Sequence, residues 1–320
     1  MSRVEPMLEK PRAAMDVLTK KLLRDGNLVG LKTRPARALI GWMAERDAQM
    51  LLGIPKTPAK PLPEHVQRVT EARTAVNSRP PGVEQIHALS QPAEELLGYL
   101  QEFHRQPSSR QYTAKGWSIQ IANLEELCAV QPIVHLDYLA HSEHWQSLLQ
   151  QASHESMVSL ARITLPIANT SPAAAQFDPQ NNSWIVKASD CDTRVVGHFS
   201  SPLEVAPGMM ATACGFWVAR VPSFAQVVRY RKRYFLSDGY HRALALLQKG
   251  IAQIPVLFRE IPEAQKLEVR ESFPDGVILG PRPPLFPDYL RDDVAAAVSH
   301  LASQKTISVQ AAETRSWGGF

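Results

Sequence analysis

The residues best suited to chemistry form one short run, Asp238-Gly239-Tyr240-His241-Arg242. A strand-like segment precedes the run and an alanine- and leucine-rich segment follows it, which predicts a tight turn that opens a helix. The first turn of a helix presents backbone N–H groups without intrahelical acceptors, at the positive end of the helix dipole. Such a turn suits a phosphate group, and the imidazole and guanidinium side chains would add further donors.

Each residue of this run has a predicted role. Gly239 permits a positive φ angle or a close approach of the backbone, and with Tyr240 it would supply amides to the phosphate. The side chains of His241 and Arg242 are predicted to bind the phosphate, and His241 is also a candidate catalytic residue. Asp238 could orient one of them, coordinate a nucleotide-bound magnesium ion or act as a base. In the competing structural interpretation, Asp238 caps the helix, Tyr240 packs and Arg242 forms a surface ion pair.

Residues 227–261 resemble the central motif of the ParB/sulfiredoxin-like superfamily. The matching features are a D-G-x-H-R turn at 238–242, an alanine- and leucine-rich helix at 243–249, a glycine stop at Gly250 and an I-P-V strand at 254–256. The resemblance implies a small α+β domain that binds a nucleotide at this turn, with ATP or CTP and magnesium as ligands. Activities in this superfamily include CTP hydrolysis, ATP-dependent reduction of a sulfinic acid and phosphorylation of free serine.

Departures from the superfamily's motifs reduce the number of these activities that fit the chain. Tyr240 stands where sulfiredoxin needs a cysteine, so sulfinic acid reduction is not supported. Downstream of Ile261 the sequence has neither the E-N-x-x-R box nor a convincing helix-turn-helix of the kind that partition proteins carry. The serine-kinase type of turn is nearest, with Tyr240 in place of its first histidine. The resemblance therefore favours a nucleotide-binding protein that hydrolyses a nucleotide or phosphorylates a small molecule.

A basic and aromatic segment lies directly before the predicted phosphate turn. It contains Arg229, Arg231, Lys232 and Arg233, interleaved with tyrosines. Such a segment could contact a nucleic-acid backbone and stack on a base. It could equally form the tip of a β-hairpin, where cationic side chains discourage aggregation of sheet edges. DNA binding or nuclease-like activity is therefore the alternative function, and a non-catalytic scaffold is the third.

A second cluster has the spacing of metal ligands. Asp137, His141 and His144 would lie at positions i, i+4 and i+7 of a helix predicted over residues 135–152. Carboxylate and imidazole groups on one helix face could hold zinc or another transition metal. The segment contains no recognised zinc signature, so a solvated polar helix face is the favoured interpretation.

The predicted fold class is α+β, with three parts along the chain. Residues 1–110 are expected to form a mainly helical, basic N-terminal part. Residues 111–270 are expected to form the ParB/sulfiredoxin-like domain, and residues 271–320 a proline-rich loop followed by a C-terminal helix.

Several individual elements are also predicted. Apolar spacing predicts helices over residues 33–53 and 288–303, in addition to the helix over 135–152. Residues 159–166 are predicted to form a strand. Residues 227–236 are predicted to form a β-hairpin that turns at Arg231 and Lys232.

A cytoplasmic location is expected, because the sequence shows no membrane or secretory signal. The net charge is +4, and the basic excess lies in the N-terminal part, where a solvated helix face explains it better than a nucleic-acid surface. The sequence predicts neither a membrane span nor a secretory signal. Cys128, Cys191 and Cys214 are odd in number and widely spaced, as expected for reduced thiols. The expected partners are a nucleotide and, in the alternative, DNA; a homo-oligomer is compatible with the sequence.

Overall fold

The computed structural model has an α+β architecture in which strands and helices are interspersed. The residues that it describes are 32–54, 60–137, 139, 143–167, 174–188, 193–221, 223–262, 267, 272–302 and 305–310. Residues 1–31 of the predicted N-terminal part lie outside these residues, as does His141 of the predicted metal cluster.

The elements are named here in chain order. The strands are β1 (Thr33–Ala38), β2 (Leu89–Ser90), β3 (Ser118–Asn123), β4 (Cys128–Ala129), β5 (Ile133–His135), β6 (Gln176–Asp178), β7 (Ser183–Ala188), β8 (Thr193–Ala206), β9 (Met209–Arg220), β10 (Gln226–Tyr230), β11 (Arg233–Asp238), β12 (Gln253–Glu260), β13 (Ala296–Leu301) and β14 (Lys305–Gln310). The helices are α1 (Glu45–Leu52), α2 (Pro63–Asn77), α3 (Leu97–Arg105), α4 (Pro107–Thr113), α5 (Glu143–Gln151), α6 (Met157–Thr164), α7 (Tyr240–Gln248) and α8 (Asp275–Ile278). In the described part of the chain, no helix is both long and apolar enough to cross a membrane.

The central sheet carries the phosphate turn that the sequence predicts. Its strand order is β2-β3-β12-β10-β11-β4, with β12 parallel to β10 and antiparallel to β3. Ile254, Val256 and Leu257 of β12 are buried, as expected for a strand inside a sheet. Helix α7 connects β11 to β12 and buries Ala243 and Leu246 in the main hydrophobic core. The predicted hairpin, helix and I-P-V strand are thereby confirmed as elements.

A second sheet joins sequence-distant parts of the chain. Its order is β13-β1-β5, and β1 pairs antiparallel with both neighbours. Ala36 and Ala38 of β1 are buried in a smaller core, together with Val69 of α2. Strands from near the two ends of the described chain therefore lie side by side.

The remaining strands lie in two smaller sheets. One has the order β14-β7-β6, and the other is the long ribbon of β8 and β9 alone. In the first of these sheets, β7 pairs antiparallel with β14.

The prediction of a helix over residues 33–53 is wrong in its first half. Residues 33–38 form β1, and only Glu45–Leu52 are helical. Pro35 cannot donate a backbone hydrogen bond, and β13 and β5 supply pairing partners on both sides of β1. Long-range pairing therefore outweighs the local helical spacing.

Two further predictions fail between residues 133 and 166. The expected helix over 135–152 is replaced at its start by β5, and its helical part is Glu143–Gln151. The expected strand over 159–166 is helix α6. The side chain of Ser156 accepts a hydrogen bond from the Ser159 N–H at 3.2 Å, which caps α6 and favours the helix.

The C-terminal helix predicted over residues 288–303 is also absent from the described residues. Phe286–Leu290 form a short 3-10 turn, and Ala296–Leu301 form β13. The alanine-rich composition of this segment favours a helix, but Ala296–Leu301 form a strand because β1 pairs with them along their full length.

Candidate functional site

The turn at Asp238–Gly239 requires a glycine for two separate reasons. Gly239 has φ +89° and is the N-cap of α7. A Cβ at this position would lie 2.8 Å from the Cα of Ala225, closer than a real contact allows. The backbone N–H of Gly239 donates to the Oδ1 of Asp238 at 2.6 Å, so the carboxylate lies against its own turn. The sequence prediction of a glycine turn that opens a helix is confirmed.

Tyr240 is an anchor of the core. Its side chain is buried, and its hydroxyl donates to the carbonyl of Leu236 at 2.6 Å while accepting from the Val130 N–H at 2.7 Å. Burial is the main cause that raises the pKa of Tyr240. The ring makes edge contacts with Phe286 and Tyr289. For Tyr240, the structural interpretation is correct.

The prediction that Arg242 binds phosphate through its side chain needs correction. Arg242 is buried, and its guanidinium donates to the Ile163 carbonyl and the Ser223 hydroxyl, each at 3.0 Å. The same group lies 5.4 Å from the centre of the Trp145 ring. The competing prediction of a surface ion pair is wrong as well, because the side chain points into the fold. Arg242 holds α7 against α6 and positions the turn.

His241 lies beside His135, which in turn lies beside His300, and sequence reasoning singled out neither of these two histidines. Its ring centroid is 6.2 Å from that of His135, and His135 is 5.0 Å from that of His300. The Nε2 of His135 and the Nδ1 of His300 are 3.3 Å apart. We call these three residues the imidazole cluster.

The second sheet assembles the imidazole cluster. His135 belongs to β5 and pairs with Ala36, whereas His300 belongs to β13 and pairs with Arg34. Because β1 lies between β5 and β13, its register decides that these histidines meet. No local motif signals such a meeting, since the histidines are 165 residues apart in the chain.

The imidazoles of His135 and His241 are both neutral at neutral pH. Burial is the largest cause that lowers the pKa of His241 to about 3, followed by His135, Arg242 and Arg34. Burial also lowers the pKa of His135 to about 4, helped by His300 and Arg34. The Nδ1 atom of His135 is buried and has no hydrogen-bond partner among the described residues. A hydrogen-bonding ligand or water would satisfy this atom.

A groove runs from the imidazole cluster along one face of α7. His241, Leu244 and Gln248 line it at positions i, i+3 and i+7, so the groove follows the helix for about 10 Å. Its volume is about 410 Å³, within the range of small-ligand sites. Apolar side chains contribute to its lining, and the lining residues outside α7 come from the β5 end and from α5, including Leu149. We call this feature the α7 groove.

The helix face predicted to carry the metal cluster is not present among the described residues. Asp137 follows β5 in a bend and forms an ion pair with Arg34, with Oδ1 and Nε 2.9 Å apart. His144 lies on α5, so the two residues do not share a helix, and His141 lies outside the described residues. The described residues contain no group of three or more histidine, cysteine, aspartate or glutamate side chains that could hold a metal ion.

The basic hairpin has the predicted turn, but two of its four cationic side chains form a hydrogen bond or an ion pair within the protein. Arg231 and Lys232 have positive φ angles of 45° and 69°, as in a tight hairpin turn, and both are exposed. Arg233 donates to the Ile278 carbonyl at 2.7 Å, and Arg229 lies 3.4 Å from Glu260. Strand β11 separates this tip from the α7 turn by about 17 Å. The hairpin tip therefore does not adjoin the α7 turn.

Comparison with known proteins gives no family assignment. No family model matches the chain, and neither the curated proteins nor the solved structures contain a match. The resemblance of residues 227–261 to the ParB/sulfiredoxin-like superfamily stays a prediction.

Proposed function

We propose that this protein binds a nucleotide along α7, with a phosphate at the helix N-terminus and the base in the α7 groove. The observation that carries the proposal is the position of His241. This residue belongs both to the first turn of α7 and to the wall of a groove of about 410 Å³. A phosphate-ready helix end and a base-sized cleft thereby share one residue.

The phosphate end would combine backbone and side-chain donors. The first turn of α7 offers N–H groups and the positive end of the helix dipole. Neutral His241 and His135 can each donate one hydrogen bond, and the lone Nδ1 of His135 would gain a partner. A phosphate dianion would also raise the pKa of both imidazoles, since an opposite charge favours their protonated forms.

The base end would combine apolar contact with amide groups. Leu136, Leu149 and Leu244 line the groove together with Gln248. Leucine side chains can cover the faces of a base, whereas Gln248 and Gln150 carry both a donor and an acceptor for its edge. ATP and CTP present different edges, so these amides are the groups that would discriminate between them.

Nucleotide hydrolysis or phosphoryl transfer to a small molecule is the activity we propose for this site. Once a bound phosphate has raised its pKa, His241 can take a proton from an attacking hydroxyl or water. Asp238 lies at the same turn, where its carboxylate accepts from Gly239. A magnesium ion would arrive with the nucleotide, because the described residues offer no metal cluster of their own.

Calorimetric titration with ATP, CTP and ADP in the presence of magnesium tests the proposal. We expect one nucleotide to bind the wild type, and His241→Ala to weaken that binding about tenfold or more through loss of a donor to phosphate. His154→Ala is the matched control, because His154 is exposed and far from α7 in sequence. Arg242 is unsuitable for this test, since its substitution would disturb the packing of α7 on α6.

Two outcomes would contradict nucleotide binding. Either no nucleotide binds the wild type, or His241→Ala binds as tightly as His154→Ala does. The first outcome, together with an absence of DNA binding, would favour a non-catalytic scaffold.

DNA binding through the basic hairpin stays the alternative prediction. Its exposed cations are Arg231 and Lys232, so their joint substitution by glutamate should abolish any salt-dependent binding of a DNA duplex. Fluorescence anisotropy at several salt concentrations measures this directly. If the wild type binds no DNA at low salt, the alternative is excluded.

A further inference from the structure

Strands β8 and β9 form a long ribbon with large apolar side chains on its surface. The two strands make a sheet of their own, so each has an outer edge without a strand partner among the described residues. On β9, the exposed fractions are 61% for Met209, 66% for Met210, 52% for Phe216 and 59% for Trp217. Two-stranded ribbons are marginally stable in water, and contiguous exposed apolar surface marks an interaction site.

The two edges of this ribbon differ in how they are protected. Strand β8 carries Pro202, the charged Glu204 and two register shifts, which are devices that discourage pairing with another strand. Residues 209–219 of β9 contain neither a proline nor a charged side chain. The β9 edge is therefore the one that is open to strand addition.

The open edge decides which kind of partner fits. Lipid would cover the apolar side chains, but it cannot satisfy the unpaired N–H and C=O groups of a sheet edge. Another β-strand would satisfy them and cover the side chains at the same time. A polypeptide strand is therefore the partner that fits the open β9 edge.

We propose that β9 pairs antiparallel with β9 of a second copy of this chain. Cys214 is the midpoint of residues 209–219, so a two-fold axis at Cys214 pairs this segment along its full length. In that register Trp217 faces Ala211 of the other copy, and Phe216 faces Thr212. Each large ring is thus opposite a small side chain, and no two aromatic rings collide.

The pairing is the self-complementary contact that a two-fold dimer needs. Phe216 and Trp217 contribute two half-exposed rings from each copy. The four rings expose roughly 400 Å² of surface that pairing can cover. The methionines, Val218 and the backbone edge would bring the interface toward the roughly 1,200 Å² of a stable complex.

Sedimentation velocity of the full chain tests the dimer. We expect a dimer for the wild type and a monomer for Cys214→Asp, because two carboxylates would then face each other across the axis. Ser200→Asp is the matched control: Ser200 is the β8 partner of Cys214, is also exposed and lies on the protected edge. We expect Ser200→Asp to remain a dimer, and circular dichroism verifies that each variant is folded.

A charge-swap experiment tests the two-fold axis itself. Cys214→Lys alone should be monomeric, whereas an equimolar mixture of Cys214→Lys and Cys214→Asp should form a heterodimer. A monomeric wild type at about 100 µM, far above the Kd that we expect for such an interface, would overturn the proposal. So would a dimer that survives Cys214→Asp, and co-sedimentation of a monomeric wild type with phosphatidylcholine vesicles would indicate a lipid partner instead.

Discussion

At the scale of single residues, their surroundings change the ionisation of His135 and His241. Burial and neighbouring positive charge lower their pKa values to about 4 and about 3. Each imidazole therefore enters the folded state uncharged, although it would titrate near 6.5 in an unfolded chain. Phosphate binding would reverse this effect by favouring the protonated forms.

The lowered pKa of His135 predicts a pH dependence of stability. Below pH 6.5 the unfolded chain binds a proton at His135 before the folded protein does, so stability falls as the pH falls from 7 toward 4. Between pH 7 and pH 5 the loss from His135 is about 2 kcal/mol. Urea unfolding at both pH values should show a smaller loss for His135→Gln than for the wild type. An identical loss in both proteins would contradict the lowered pKa, and His154→Gln is the control at an exposed site.

At the scale of elements, glycines mark both ends of α7. Gly239 opens the helix at φ +89°, and Gly250 follows its end at φ +77°. The two positions differ in their surroundings, because a Cβ at Gly239 would meet Ala225 at 2.8 Å. A Cβ at Gly250 would have no described heavy atom within 4 Å. Conformation alone thus requires Gly250, whereas conformation and packing both require Gly239.

This difference predicts unequal costs for the same substitution. Gly250→Ala should lower the free energy of unfolding by about 1 kcal/mol, the cost of a left-handed conformation for alanine. Gly239→Ala should lower it by about 2–3 kcal/mol, because the contact with Ala225 adds strain. Chemical denaturation of the two variants measures both values. Equal losses of unfolding free energy would show that the backbone near Ala225 shifts to accommodate the Cβ without a free-energy cost, which would contradict the prediction.

At the scale of the whole molecule, a buried ion pair links the residues after α2 to the C-terminal part. Arg79 donates to both carboxylate oxygens of Asp288 at 2.8 Å, and Asp288 is 2% exposed. Asp288 also accepts from the Leu285 N–H, and Arg79 lies 5.0 Å from the centre of the Trp42 ring. The pair therefore ties three sequence-distant segments together.

Removing the buried carboxylate should destabilise the protein strongly. Asp288→Ala would leave Arg79 and the Leu285 N–H without this acceptor, and we expect a loss of about 3 kcal/mol in unfolding free energy. Asp292→Ala breaks the ion pair with Arg37, but Asp292 is 90% exposed, so we expect less than about 1 kcal/mol. Urea denaturation compares the two variants. A loss for Asp288→Ala as small as that for Asp292→Ala would contradict the linking role.

Local signals determined the elements around the turn. A glycine between a strand and an alanine- and leucine-rich segment predicts the order β11, α7 and β12, and the structure has that order. The hairpin of β10 and β11 was also predictable, since two strand-like segments flank a two-residue turn at Arg231 and Lys232. These features depend on neighbouring residues only, so the sequence by itself was sufficient.

Tertiary structure decided the roles of the side chains at the site. Arg242 looked like a phosphate ligand, but packing against α6 turns it inward to Ile163 and Ser223. His300 acquired its place only when β13, which has the composition of a helix, paired with β1. Such contacts join residues at least 19 positions apart in the chain, and local propensity contains no information about them. The sequence therefore determined where α7 begins, whereas long-range strand pairing decided which residues surround it.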